Sequence, residues 1–425
     1  MSLFQEYTWH DWVWLVSLPL LAPLFLFPKP HWSWVFILVP LILGLRVMDK
    51  KSLLPRTVLD WAILILMLEV LATCFIVPDI TFSLGKIAGM VFAVFVFYAV
   101  VSLLKNEKLI KTGLFLFIAG GTVLSIIGIL GLSRHDEPKY IEFLYKILTS
   151  LPKIDFNLPG AESGFHPNAL GGVLVLILPL SFILLVPNVF SRKTGFFIFQ
   201  SRLWAVPFGL FFLMMSFVLL LTQSRGSFAG IFVAVWLLIF SSFSKKKFTA
   251  VIVTVIMFGV LFSLIFMAGS DKIPYTDLES RNKLVARVTF FWSSAWKIIK
   301  EHPVFGIGMN NARLVAGISY THAHFHNQFL HTAAEMGIPA LIAYLALLLG
   351  TAWMCVRTWK KASEQWIRLS VLGLGAGQLA FLFFGFLDTI PLGAKVGLFF
   401  WISLGLIVSL YRHVQKSPKA VSKEI

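Results

Sequence analysis

Charge is scarce in this chain. Only 13% of its 425 residues are Asp, Glu, Lys or Arg, while 58% are hydrophobic. Mean hydropathy is +0.85. A soluble domain carries roughly a quarter of its residues as charges and could not hide this much apolar surface. Cysteine is nearly absent: Cys74 and Cys355 both fall in apolar stretches. That excludes a disulfide framework and a Cys-based metal site. No acidic pair suits Mg or Mn except the isolated Asp277-Leu-Glu279. There is no P-loop, GxSxG or HExxH, so ATP-driven pumping and hydrolysis at a serine or zinc site have no basis in the sequence. The N-terminus has no basic n-region ahead of its first apolar run. No cleavable signal peptide is expected, and the first helix should remain as an anchor.

Apolar runs of spanning length are present instead. A spanning helix needs about 20 mostly apolar residues. Runs of this kind lie near 12–27, 32–47, 58–77, 84–104, 112–132, 168–189, 203–222, 226–243, 248–268, 338–356, 367–387 and 391–411. The expected fold class is an all-α polytopic membrane protein with about twelve transmembrane helices, one domain over 1–425. Tryptophans such as Trp9, Trp12, Trp32, Trp34, Trp204, Trp359 and Trp366 gather at the ends of these runs, as in an interfacial aromatic belt.

The net charge of +16 resides mainly in short connections. Alternate ones carry Arg46/Lys50/Lys51/Arg56, Lys105/Lys108/Lys111, Arg192/Lys193/Arg202, Lys245/Lys246/Lys247 and Arg357/Lys360/Lys361/Arg368, and the tail adds Arg412, Lys416, Lys419 and Lys423. All six clusters fall on one side, which is cytoplasmic by the positive-inside rule, as are both termini. This placement accounts for the basic charge without nucleic acid. Two long segments fall outside, 133–167 and 269–337. The first holds an amphipathic stretch, Tyr140–Leu151. In the second, Leu284, Val288, Phe291, Trp292, Ala295 and Ile299 share one helical face and Lys283, Arg287, Ser294 and Lys297 lie towards the other. The pattern predicts a helix lying on the membrane surface, broken after it by Pro303, Gly306 and Gly308.

The chemistry-bearing residues collect on this outer side. His322, His324, His326 and His331 fall within ten residues, just ahead of Glu335 and Gly337. Histidine serves as a general base near neutral pH. Imidazoles at alternate positions can also converge on zinc, or simply be solvated at a membrane edge. Catalytic zinc usually takes three protein ligands, and nothing else in the sequence supplies a fixed geometry, so no metal ligand is assigned. Arg225 sits in Thr222-Gln-Ser-Arg-Gly226, a tight outer connection. It either snorkels to the interface or presents its planar fork to phosphate oxygens beside a helix N-terminus. Arg287, Arg281 and Arg313 are candidates for the same anion. Glu69, inside an apolar run, is a functional candidate by placement, with Lys86 as its expected partner. Asp388 closes the eleventh run, where it can orient a histidine or bind an acceptor. A secondary transporter would also suit a midplane charge such as Glu69, but the dense polar cluster from Asp271 to His331 lies outside the bilayer.

These features resemble the O-antigen ligase and O-antigen polymerase family of bacterial membrane glycosyltransferases. The resemblance is best from Thr222 to Leu349. It comprises Thr222-Gln-Ser-Arg-Gly, Arg287 followed by Trp296, His302-Pro-Val-Phe-Gly-Ile-Gly, and His326-Asn327 followed after nine residues by Gly337-Ile-Pro-Ala340. Ala340 stands where the ligases carry a second glycine. The stretch Gly164-Phe-His-Pro-Asn168 is also similar to the family. The resemblance implies a metal-independent, inverting transfer of a glycan from undecaprenyl diphosphate, without cofactor, at the periplasmic face of the inner membrane. The acceptor would be lipid A–core for a ligase, or a second lipid-linked repeat for a polymerase. A protein O-oligosaccharyltransferase is a further alternative. It implies His326 as base and Arg225 and Arg287 at the diphosphate. His324, Asn327, Arg281, Arg313, Glu335, Asp388, Glu69 and Lys86 would support them.

Overall fold

The computed structural model describes residues 9–29, 55–132, 141–154, 166–185, 205–242, 287–314 and 324–416. The expected spans at 32–47 and 248–268 lie outside these residues, as do His322, Lys283, Leu284 and Arg281. Within them the chain is helical and forms no strand. In chain order the helices are α1 (Trp9–Leu26), α2 (Asp60–Ile76), α3 (Ile80–Leu103), α4 (Glu107–Gly131), α5 (Glu142–Ser150), α6 (Pro167–Leu185), α7 (Ala205–Thr222) and α8 (Arg225–Ser242). A π-helical turn, Arg287–Trp292, then runs into α9 (Ser293–Glu301). Last come α10 (Gln328–Lys361), α11 (Gln365–Leu387) and α12 (Leu398–Lys416).

Six of the described helices are long and apolar enough to cross a membrane: α3, α4, α6, α10, α11 and the helical stretch ending in α12. Apolar segments of α1, α7 and α8 are shorter. Polar side chains fix several starts. Asp79 accepts from Thr81 N at 2.9 Å at the head of α3, and Asn106 accepts from Leu109 N at 2.9 Å at the head of α4. Each satisfies an N–H that the first turn leaves orphaned.

α11 is the hub, packed along both α6 and α8. The approach is close because small residues line it. A Cβ on Gly377 would run into the Leu176 carbonyl of α6, and one on Gly230 of α8 into the Ala380 carbonyl of α11. Small residues that let backbones touch are the usual adhesive between helices in lipid, where burial of apolar surface gives little drive.

The two ends of the bundle differ chemically. At one end Lys105 Nζ reaches Asp11 at 2.6 Å, Tyr98 donates to Asp60 at 3.0 Å, Lys111 lies 4.9 Å over the Trp366 ring and Arg357 5.2 Å over the Trp353 ring. Lys105 and Lys111 belong to one of the six basic clusters and Arg357 to another. The opposite end gathers the starts of α6, α8 and α10 and the finish of α11.

Two expectations need correction. The last helix begins at Leu398, not near 391. Residues 388–397 instead fold back over the end of the bundle, where a Cβ on Gly393 would collide with the Lys86 carbonyl of α3. The helix read as lying on the membrane is α9 with its π-helical turn. Its buried Ala295, Ile298 and Ile299 pack with Ala312, Phe325, Ala333 and Ala334, so protein rather than lipid covers this face.

Candidate active site

The α10 start is built by its own residues. Asn327 Oδ1 accepts from Phe329 N and Leu330 N, both at 3.0 Å, which caps the helix. Its Nδ2 donates to Phe386 O at 3.3 Å, and Gln328 Oε1 accepts from Ile390 N at 3.0 Å. The start of α10 is thereby tied to the chain on both sides of Asp388. His326, just before the cap, takes a left-handed φ of +51°, a conformation a side chain seldom adopts without surrounding constraint.

The consequence is a paired imidazole and carboxylate. His326 Nδ1 lies 3.1 Å from Asp388 Oδ1. Asp388 is 3% exposed. It also accepts from its neighbour's backbone, Thr389 N at 2.9 Å, and from the Asn168 side-chain amide at Oδ2. Three donors thus satisfy a buried carboxylate, as burial of a charge requires. A carboxylate at Nδ1 selects the tautomer with the proton on that nitrogen and leaves the Nε2 lone pair available.

The surroundings are aromatic. Phe291 meets the His326 ring edge-on at 5.1 Å between centroids, and His324 does so at 4.4 Å. His324 Nδ1 is 3.7 Å from Asp388 Oδ1. Burial pushes the His324 imidazole down to about 3, opposed by the Asp388 charge and helped by its histidine neighbours. His324 is therefore neutral at physiological pH. The sequence supplied no fixed geometry for a metal, whereas the fold brings Asp388 together with His324 and His326.

Arg225 heads α8 at the same end. Ser224 Oγ caps that helix, accepting from Ser227 N at 3.4 Å and from the Ser227 hydroxyl at 2.9 Å. Gln223 takes a φ of +47° and clasps Ile141 before α5, accepting from its N–H at 2.9 Å. The next residue, Gly226, abuts α11 so closely that a Cβ would meet Phe384 at 3.2 Å and Leu387 at 3.5 Å. Arg225 therefore starts beside the turn that carries Asp388. Asn168 lies in the first turn of α6, so three helix N-termini of α6, α8 and α10 meet here. Their partial positive charges favour an anion. Arg287 opens the π-helical turn that carries Phe291.

The supporting candidates divide. Glu335 is buried and serves the backbone: Oε2 accepts from Asn310 N at 2.9 Å and Oε1 from Ala312 N at 3.2 Å. His331 Nε2 lies 3.3 Å from its Oε2. Arg313 donates to Asn310 Oδ1 at 3.2 Å. Gly337 breaks α10 at φ +82°, and a Cβ there would collide with the Val304 carbonyl oxygen. Gly308 N donates to Glu335 O at 2.8 Å and Ile338 N to Pro303 O at 2.8 Å. The two glycine motifs of 302–308 and 337–340 thus form one joint. Among the described residues no ion pair joins Glu69 to Lys86. Glu69 is buried in α2, whereas the Lys86 charge acts on His331 and Glu335.

Asn168 received no role from the sequence. Its position in a His-Pro-Asn turn at a helix start was the available signal, and His166 Nδ1 accepts from Asn168 N at 3.3 Å in that turn.

A family model described as O-Antigen ligase matches residues 210–345. That region includes Arg225, His324 and His326 and the glycine joint. A protein of Haemophilus influenzae described as uncharacterized is 23% identical over 177 residues, which cover 36% of this chain and 44% of that protein. The match thus spans under half the length of this relative. Over residues 210–345, within a helical membrane architecture, the chain is therefore similar to the O-antigen ligase family.

Proposed function

We propose that the chain moves a glycan from undecaprenyl diphosphate to lipid A–core in one inverting displacement at the periplasmic face of the bacterial inner membrane. The observation that carries this reading is the His326–Asp388 pair, set among three helix N-termini at the end of the bundle away from Lys105, Lys111 and Arg357. Basic loops stay in the cytoplasm, which turns the pair outward.

His326 Nε2 takes the proton from an acceptor hydroxyl as that oxygen attacks the anomeric carbon. The bond from that carbon to the diphosphate oxygen breaks on the opposite face, and its electrons leave with the lipid diphosphate. Asp388 accepts the Nδ1–H throughout, which fixes the ring and stabilises the imidazolium that forms. A positioned base of this kind contributes roughly 10²–10⁴-fold. Arg225, Arg287 and the helix N-termini stabilise the charge gathering on the diphosphate. The leaving group is already activated, so neither nucleotide nor metal is required.

The test is transfer by purified protein in detergent, given undecaprenyl-diphosphate-linked glycan and lipid A–core with EDTA present. A glycan-bearing lipid A band supports the ligase. A lengthened lipid-linked glycan with the core untouched replaces it with the polymerase. No change in either substrate sinks both.

A further inference from the structure

One ring nitrogen each of His324 and His326 and an Asp388 oxygen all lie within 4.8 Å of one another. His326 Nδ1 and His324 Nδ1 stand 3.1 Å and 3.7 Å from Asp388 Oδ1. Ligands placed 2.0–2.1 Å from a tetrahedral zinc ion stand about 3.3 Å apart. The donors are therefore already spaced near the edges of such a tetrahedron. General-base chemistry uses only the His326 contact. His324 Nδ1 is buried and has no hydrogen-bond partner among the described residues. A nitrogen left in that state costs stability unless something binds it. Two imidazoles and one carboxylate select zinc or a similar borderline ion over Mg or Ca, which prefer all-oxygen shells.

From this convergence we propose an inhibitory zinc site formed by His324 Nδ1, His326 Nδ1 and Asp388, with water completing the tetrahedron. The ion takes the Nδ1 lone pair of His326, and the ring proton sits on Nε2 instead. No net proton is gained or lost by the ring. Nε2 then has no lone pair to offer an acceptor hydroxyl, so the base is off while the ion stays. Asn168, bonded to the other Asp388 oxygen, orients the carboxylate as an outer partner of the site. Metal binding stands whatever reaction the site performs. Its inhibitory effect rests on the proposed role of His326.

The experiment uses the full chain in detergent, free of any polyhistidine tag. Zn²⁺ is titrated by calorimetry, and Co²⁺ is added to read its tetrahedral visible absorption. One ion per chain is expected. His324→Gln and Asp388→Asn should each weaken binding at least about tenfold, in line with losses seen when a metal site is disturbed. His302→Ala, an exposed histidine elsewhere, should not. Size-exclusion profiles matching wild type exclude misfolding. No saturable binding, or equal binding in all variants, overturns the site. In the transfer assay zinc should lower the rate at least about tenfold, with recovery on EDTA, because the base term is removed. Binding without inhibition overturns the switch alone. Absence of transfer before any metal is added rejects the proposed reaction while the binding data still judge the site.

Discussion

Asp388 Oδ1 stands 3.1 Å from His326 Nδ1 although 62 residues separate them in the chain. The closing turn of α11 carries one and the entry to α10 the other. If the carboxylate fixes the imidazole tautomer, Asp388→Asn should lower kcat by about 10²–10⁴-fold, comparable to His326→Ala. The double variant should be little worse than either single one, since residues acting as a unit are strongly non-additive. Steady-state kinetics on protein with wild-type elution would decide. A wild-type kcat in Asp388→Asn removes the pairing from the mechanism.

Arg225 separates two physical roles. A snorkelling cation is served as well by lysine as by arginine, whereas a fork bonded to phosphate oxygens is not. Arg225→Ala should lose about 10²–10³-fold in kcat, the usual loss on removing a donor at a developing charge. Arg225→Lys should retain intermediate activity. If both variants match wild type, the residue belongs to the interface and not to the donor site.

Gly337 makes a structural prediction. Its φ of +82° and the nearby Val304 carbonyl leave no room for a Cβ. Gly337→Ala should cost about 1–3 kcal/mol from backbone strain, with further loss as the 302–308 loop is displaced. The apparent melting temperature should fall and transfer with it. A nearby control, Ile338→Ala, affects a residue 40% exposed and should change melting far less. Equal melting for the two variants would mean that the joint bends without penalty.

Much of this architecture is legible in sequence because a bilayer imposes a simple code. Runs of apolar residues and alternate basic loops anticipate most described helices within a few residues. The misplacement near 391 arises because Pro391–Val396, with a single charge at Lys395, runs directly into the apolar stretch of α12, and only its packing on α3 marks it as a fold-back. The amphipathic period of α9 is equally correct, but periodicity cannot say whether lipid or α10 covers the apolar face. The site is half legible. His326 and Arg225 announce themselves through unusual polarity at the outer edge. Asp388 reads only as a weak candidate, since nothing local records which helix end it will meet. Glu335 looks chemical, yet its two oxygens are occupied by the backbone N–H groups of Asn310 and Ala312. The same tertiary docking brings Asp388 to His324 and His326 in the proposed zinc site, which spacing within the histidine cluster could not reveal.

Asn168 gives the sharpest test of how Asp388 is held. Its amide donates to Asp388 Oδ2, opposite the oxygen that faces His326. A hydrogen bond to a charged group is worth about 1.5–3 kcal/mol, or roughly 10–150-fold if it is felt in the transition state. Asn168→Ala removes the donor and frees the carboxylate to rotate away from the imidazole. The loss should fall on kcat, with KM for donor and acceptor little changed, because the side chain positions the base without needing to touch substrate. Asn168→Asp should be worse than Asn168→Ala. Two carboxylates at hydrogen-bond distance cannot both ionise, so one must hold a proton and the charge presented to His326 is diluted. Raising the pH should not rescue this variant fully, because ionising both acids would repel Asp388 from its place. An Asn168→Asp enzyme as active as Asn168→Ala at every pH would show that the Asp388 charge is not what the imidazole requires.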